Sequence, residues 1–450
     1  MMRAFSPWLD RTTPVPRAWP PPAQPDIADT LRDIRTRDRY GHVLHVAAAL
    51  LFAFFAPLDQ GPNSVASIVL VSITLVRVLT FPALFTPLLR WTPLWIALAW
   101  VGWTALSATW SPRSDALRLL NGQRLLLGVL ALWPVLDHTR ALAWALVLAA
   151  ATNAAVQVAQ KFGVLLPAHG VSWRPSGLVA LPAVAAINGG SAILLSMALL
   201  MGTRGIERVA LYAVIMLCGV GMTLAASRFP ALAFIPALIL LSFMLVRLGY
   251  ATRRSMMRTV LALAVIATIA LLAVGEDFLR YLRSAAADAQ AGSRGDVGFS
   301  SIHLRVFWWK AGFAEFLQHP VIGGGVGSFT GFVDGYAGTR PFLERSGISL
   351  AEALPLHPHS SYLRALAETG IIGFTLFCSM IIAVLLGAFR NAVRNPNRSC
   401  AVVVGACASL VFILLCTSSE CVELMNVAYA HLVVVIAICA LPRTDHAPPL

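Results

Sequence analysis

Residues 229–247 read Phe229-Pro-Ala-Leu-Ala-Phe-Ile-Pro-Ala-Leu-Ile-Leu-Leu-Ser-Phe-Met-Leu-Val-Arg247. One serine is the only polar residue before the terminal arginine. An α-helix rises about 1.5 Å per residue, so about 20 apolar residues cross the hydrocarbon core of a bilayer. The stretch therefore predicts a transmembrane helix.

The rest of the chain repeats this pattern. Of its 450 residues, 58% are hydrophobic and 12% charged, with a mean hydropathy of +0.74, whereas soluble domains carry about 25% charged residues. We predict an all-α polytopic membrane protein with about twelve transmembrane helices, because apolar runs of spanning length lie near 43–60, 64–85, 93–110, 118–136, 141–160, 177–201, 208–226, 229–247, 256–274, 366–389, 400–418 and 424–441.

The distribution of arginine predicts the orientation of these spans. Cytoplasmic loops are enriched in Lys and Arg, and arginines are concentrated in the first tail and in alternate short loops. An even number of spans then places both termini in the cytoplasm. The same bias accounts for much of the net charge of +13; no nucleic-acid-binding motif accompanies it, so no nucleic-acid partner is expected.

The predicted organisation is one membrane domain with one large insertion. Residues 1–41 form a flexible, proline-rich cytoplasmic tail, residues 42–274 hold spans one to nine, and residues 366–441 hold spans ten to twelve. Between them, residues 275–365 form a periplasmic loop with helices. Residues 442–450 are a short cytoplasmic tail.

A helix is predicted in this loop over residues 301–317. Ile302, Val306, Trp309, Phe313 and Phe316 recur at steps of three and four, the period of one helical face. Arg305 lies one turn before Trp309, so the two could act on one ligand, the arginine on a phosphate and the tryptophan near a sugar. The alternative is an amphipathic helix at the membrane interface with an arginine that reaches to the headgroups.

A glycine-rich turn follows this helix. Gly323-Gly-Gly-Val-Gly327 could expose amides to an anion, but it has neither a Walker lysine nor the context of a Rossmann fingerprint. We interpret it as structural.

Two histidines end the loop. His357 and His359 could take a proton near neutral pH. No Asp, Glu or Cys lies within a few residues of them and the loop has no Asp-x-Asp pair, so we predict no metal there. A purely structural hydrogen bond is the alternative.

Basic residues elsewhere on the outer side could complete a site. Ser227-Arg228 lies between two spans, where an arginine usually faces a polar cavity. Arg174 and Lys161 are predicted on the same side. Glu420 and Glu423 could orient a histidine or an arginine, or only balance charge, and charge balance is the favoured interpretation.

The order of these motifs resembles the O-antigen ligase/O-antigen polymerase family of bacterial envelope glycosyltransferases. The matching residues are Ser227-Arg228, Arg305 with Trp309, Pro320 through Phe329, His359 through Leu363, and Glu368 through Gly373. The resemblance covers residues 225–375 by motif. One departure is Ser360, where many relatives have asparagine.

The resemblance implies a C-type glycosyltransferase fold in the inner membrane. It implies transfer of O-antigen polysaccharide from undecaprenyl diphosphate to lipid A–core oligosaccharide at the periplasmic face, as in lipopolysaccharide biosynthesis, by an inverting mechanism without metal or cofactor. His359, Arg228 and Arg305 are then the predicted catalytic residues. The predicted substrate-binding residues are Arg174, Lys161, His357, Trp309 and Tyr362.

Three other functions stay open. An O-antigen polymerase would use a second lipid-linked repeat as acceptor, and a protein O-oligosaccharyltransferase would use protein hydroxyls. A polysaccharide or lipid transporter, or flippase, would instead need polar residues near the bilayer midplane and repeated halves, and the sequence shows neither pattern.

Overall fold

The computed structural model describes residues 36–58, 60–112, 116–166, 170–171, 174–273, 301–346, 357–394, 398–420 and 426–440, together with Asp33 and Arg283. These residues are predominantly helical, and one antiparallel ribbon pairs Gly170–Val171 (β1) with Arg174–Pro175 (β2). The predicted all-α class agrees with this architecture. Most of the predicted tails and the first part of the predicted loop lie outside the described residues.

Fifteen α-helices lie in the described part of the chain. They are α1 (Arg39–Phe55), α2 (Gln60–Thr80), α3 (Thr92–Ser107), α4 (Ala116–Leu132), α5 (Thr139–Lys161), α6 (Pro182–Leu199), α7 (Ile206–Leu224), α8 (Arg228–Arg247), α9 (Arg253–Ala273), α10 (Ser301–Gln318), α11 (Ser328–Gly335), α12 (Thr339–Ser346), α13 (Ser361–Arg394), α14 (Arg398–Cys416) and α15 (Asn426–Cys439). Short 3-10 segments add Pro82–Leu84, Thr86–Arg90, Trp133–His138 and Leu200–Gly202.

Each predicted apolar run overlaps one of the helices α1–α9 or α13–α15. By length and composition, six helical stretches among the described residues can cross a membrane, and seven can if Pro82–Arg90 and Thr92–Ser107, bent by 86°, form one span. The protein is therefore a multi-pass membrane protein. Its twelve-span topology and orientation stay predictions.

The surface of α8 shows why the bundle suits a bilayer. Leu232, Ile235, Ile239 and Phe243 are exposed along one side, whereas small Ala233 and Ala237 face the bundle. An apolar stripe of this length is unfavourable in water but matches lipid tails, and small residues let helices approach closely.

Helix α6 forms the centre of the bundle. Every residue from Val184 to Leu199 is buried, and α6 packs against α5, α7, α8 and α14. One polar contact lies inside the bundle: His431 of α15 is fully buried, and its Nε2 lies 2.8 Å from Ser191 Oγ of α6.

Helix α10 confirms the predicted loop helix but not its predicted packing face. The buried face carries Phe307, Trp308, Ala311 and Glu315, whereas Phe313 of the predicted face is half exposed. The helical period alone cannot say which side has a partner. Here α10 packs on α11 and α13, which selects the other side.

Candidate active site

A buried carboxylate joins two of the predicted catalytic residues. Arg305 Nη2 donates to Glu420 Oε1 at 2.7 Å, and His359 Nδ1 lies 3.6 Å from Glu420 Oε2. The Glu420 side chain is 7% exposed, whereas those of Arg305 and His359 are 29% and 25% exposed. The carboxylate is therefore buried behind two basic side chains, and each of these is partly exposed to solvent. We call Arg305, Glu420 and His359 the outer cluster.

The backbone at His359 is strained. Its φ of 50° lies in the left-handed region, which costs a non-glycine residue about 1–2 kcal/mol. Such strain is often found where a fold positions a functional side chain. The imidazole stacks on Trp308 with ring centroids 4.5 Å apart, and the backbone N–H of His359 donates to His357 Nδ1 at 3.1 Å. The rings of Trp308 and His357 thus both pack against the His359 ring.

The start of α13 is tied to the end of α14, and this tie brings His359 to Glu420. Ser361 N donates to Thr417 O at 2.9 Å, and its Oγ donates to Glu420 O at 3.2 Å. The Tyr362 hydroxyl donates to Leu414 O at 2.9 Å. The hydrogen bond from Tyr362 therefore connects α13 to α14. The role of Tyr362 in binding substrate stays a prediction.

A second group of basic residues forms beside α8. Arg174 Nε donates to the Ala225 carbonyl at 2.8 Å, three residues before Arg228. Ser227 has extended backbone at the position before α8, so Arg228 is the first residue of that helix. Lys161 ends α5 on the same side of the bundle. Arg174 and the turn before Arg228 thus lie together.

Buried amides of α5 hold the segment that carries Arg174. Gln157 Nε2 donates to Pro175 O at 2.9 Å, and Gln160 exchanges two hydrogen bonds with the Gly177 backbone. Asn153 Oδ1 accepts from Leu178 N at 2.7 Å. These contacts satisfy the backbone of a short loop and fix the position of β2 beside the end of α5.

Helix α14 lies between the two groups. It packs against both α8 and α13, and Phe412 meets Phe234 of α8 edge to face with centroids 5.9 Å apart. Phe234 comes six residues after Arg228, and Phe412 comes eight residues before Glu420. Arg228 and Glu420 therefore each lie about two turns from the pair of rings, on the same side of it. Arg228 and Glu420 therefore lie at one end of the bundle.

The glycine-rich turn uses its amides inside the protein. Gly324 N donates to Ala367 O and Gly325 N to Glu368 O, at 2.8 and 2.9 Å. A Cβ on Gly323 or Gly370, both at positive φ, would overlap backbone atoms of the opposite segment. These contacts support the structural interpretation of the turn, because amides bonded to carbonyls do not face an anion.

A buried acid lies behind this turn. Glu315 of α10 is 1% exposed and accepts a hydrogen bond from Ser328 Oγ. Burial raises the pKa of Glu315 to about 7, with a smaller contribution from the charge of Glu368, against the lowering effect of the Ser328 hydrogen bond. The carboxyl therefore holds a proton more tightly than an exposed glutamate does. Sequence reasoning gave it no role.

The structure therefore sorts the predicted residues. Arg305, His357 and His359 come together, Arg174 lies at the turn before Arg228, and Trp309 lies on α10 beside the stacking residue Trp308. Sequence reasoning missed the stacking residue Trp308, and for Glu420 it favoured charge balance over the orienting role that it had left open. An acidic residue at the end of an apolar span was the available signal for Glu420. Glu423 lies outside the described residues.

The comparisons with known proteins bear on the same region. Residues 211–378 match the family model described as O-Antigen ligase. The match includes Arg228, Arg305 and His359, whereas Arg174 and Glu420 lie outside it. No curated protein matches the chain. The match places this segment, residues 211–378, in the O-antigen ligase/polymerase superfamily.

Proposed function

We propose that this protein is an O-antigen ligase. It transfers O-antigen polysaccharide from undecaprenyl diphosphate to lipid A–core oligosaccharide at the periplasmic face of the bacterial inner membrane, with inversion and without a metal. The family match supports a glycosyltransferase-type enzyme acting on lipid-linked polysaccharide. The outer cluster carries the proposal, because it combines a histidine, an orienting carboxylate and an arginine at one end of a membrane bundle.

His359 acts as the general base. Its Nδ1 faces Glu420, which leaves Nε2 to accept the proton of the acceptor hydroxyl. The acceptor oxygen forms a bond to the anomeric carbon as the bond to the diphosphate oxygen breaks on the opposite face. The Glu420 carboxylate opposes the positive charge that develops on the imidazole, as in other carboxylate–histidine pairs.

The basic residues act on the leaving group. The diphosphate gains negative charge as the anomeric bond breaks, and arginine suits it because its planar guanidinium stays charged and donates several hydrogen bonds. The bond from Arg305 to Glu420 uses one of its three nitrogen atoms. In this mechanism Arg228 and Arg305 stabilise the departing diphosphate, while Arg174, Lys161, His357, Trp309 and Tyr362 help to hold the substrates.

The direct test is transfer by purified protein in lipid. Lipid-linked O-antigen and rough lipopolysaccharide should give a ladder of products without added divalent metal and in the presence of EDTA. His359→Ala should lower the rate by about 10²–10⁴-fold, the usual effect of losing a general base. His319→Ala, which removes an exposed histidine of the same loop, should leave the rate unchanged. Full activity of His359→Ala, or loss of transfer in EDTA, would contradict the mechanism.

The acceptor separates the ligase from its relatives. An O-antigen polymerase would extend a second lipid-linked repeat, and a protein O-oligosaccharyltransferase would modify serine or threonine hydroxyls. Offering the three acceptors to one preparation compares these activities directly, and we expect transfer to rough lipopolysaccharide alone. Product on either of the other two acceptors alone would replace the ligase proposal.

Transport is the rival from another class. A transporter gathers polar residues near the midplane, and His431 is such a residue. Its bond to Ser191 and its full burial fit a contact between helices better than a substrate path. Movement of labelled lipid-linked glycan across vesicles, without any transfer product, would favour transport.

A further inference from the structure

A separate polar cluster lies at the opposite end of the bundle from His359. His42 of α1 and Asp137 and His138 of the following 3-10 segment each place one potential ligand atom within 4.8 Å of the others. Helix α5 starts at Thr139, next to this cluster, and ends at Lys161 near the Arg174 segment. Its 23 residues span about 35 Å, so the two polar sites lie about one membrane thickness apart.

We propose that His42, Asp137 and His138 bind one divalent transition-metal ion of the zinc class, in a site that no step of glycan transfer uses. Two imidazoles and one carboxylate are a common ligand set for zinc, with water in the fourth position. Bond lengths of about 2.1 Å separate tetrahedral ligand atoms by about 3.4 Å. His138 Nε2 and Asp137 Oδ2 are already 3.3 Å apart.

The site is largely preorganised by its surroundings. His45, one turn after His42, accepts from Arg77 Nη1 at Nδ1 and donates from Nε2 to Ala131 O, at 3.1 and 2.7 Å. These contacts fix α1 against the end of α4, from which the 3-10 segment continues. Because both nitrogens of His45 are engaged, it is not a candidate ligand. Asp137 is exposed, so its side chain can turn towards an ion.

The charges around the cluster also favour a cation. The buried Arg77 is paired with Asp38 at 3.1 Å, so those two charges cancel. Arg140, three residues after Asp137, is paired with Glu207 at 2.8 Å. Asp137 then adds one negative charge beside two imidazoles that bind metal in their neutral form. An ion here would fasten α1 to the connection between α4 and α5.

The test is zinc retention by the purified full-length chain. The protein is prepared with a tag that lacks histidine, stripped with a chelator, incubated with micromolar zinc, desalted and analysed by elemental mass spectrometry. We expect about one zinc per chain and a rise in the melting temperature on adding zinc. Asp137→Asn and His138→Gln should lose the bound zinc and the thermal shift. The aspartate variant is the more secure test because its side chain is exposed and the change is nearly isosteric.

Matched variants show whether the ion lies at the proposed place. His319→Gln removes an exposed histidine elsewhere, and the double variant His357→Gln/His359→Gln removes the other histidine pair. Both should retain zinc as the unmutated chain does. The proposal is overturned if the unmutated chain retains no zinc, if Asp137→Asn and His138→Gln both retain it, or if the His357/His359 variant loses it.

Discussion

Glu420 and Glu315 are both buried carboxyl groups near α10, but their surroundings give them different chemistry. Glu420 lies between the guanidinium of Arg305 and the ring of His359. Burial raises the pKa of Glu315 to about 7, against the lowering effect of the hydrogen bond from Ser328 and with a smaller increase from the like charge of Glu368. A buried carboxylate with a cation can stay charged and orient a base, whereas one without a cation binds a proton and supports the backbone around it.

The largest expected effect is a loss of stability caused by a substitution in the segment that packs near Glu315. Gly370→Ala places a Cβ against the Val321 carbonyl at a φ of 65°, where an L side chain is strained. We expect the free energy of unfolding to fall by about 3 kcal/mol or more, since neither backbone segment can move away easily. Folded yield by size-exclusion chromatography and the melting temperature would measure it.

Gly335→Ala is the matched control, because a Cβ there meets no atom within 4 Å. It should change neither quantity. If Gly370→Ala lowered the free energy of unfolding no more than Gly335→Ala does, close packing of the two backbone segments would be unimportant for stability.

The next effect tests the outer cluster without changing its shape. Glu420→Gln removes the charge that orients His359 and neutralises Arg305, so we expect the transfer rate to fall about a hundredfold. That is smaller than the loss of a carboxylate in direct hydrogen bond to a catalytic histidine, because the Nδ1–Oε2 distance here is 3.6 Å. Initial rates at saturating donor, with KM measured in parallel, would separate lost chemistry from lost binding. An unchanged rate would mean that Glu420 only balances charge and does not orient His359.

The smallest effect concerns pH and Glu315. Because folding raises the pKa of this carboxyl from 4.5 to about 7, the folded protein holds the proton more tightly than the unfolded chain. Stability therefore decreases as pH rises from about 4.5 through about 7 and then levels off. Between about pH 6 and 8 the change is about 1 kcal/mol.

Glu315→Gln should remove this pH-dependent part while keeping an acceptor for Ser328. Melting temperatures of the two proteins at about pH 6 and 8 would show it: the variant should lose less stability than the unmutated chain as pH rises. Parallel curves would show that Glu315 does not titrate in this range. The transfer rate of the variant at one pH should stay unchanged, in contrast to Glu420→Gln.

Much of the architecture could be predicted from local pattern. All twelve apolar runs overlap helices, because hydrophobic length is a property of consecutive residues. The helix over residues 301–317 was placed within one residue of α10. The order of the motifs from Ser227 to Gly373 was also sufficient to indicate the superfamily that the match to residues 211–378 shows.

Contacts between residues distant in the chain could not be predicted from the sequence alone. Arg305 and Glu420 are 115 residues apart and meet because the end of α14 is tied to the start of α13. The helical period could not choose between Trp308 and Trp309, since neighbours on a helix point about 100° apart and only packing selects the buried side. Sequence alone determined which segments are helical and apolar. The tertiary structure decided which polar side chains meet, because that depends on how helices distant in the chain pack together.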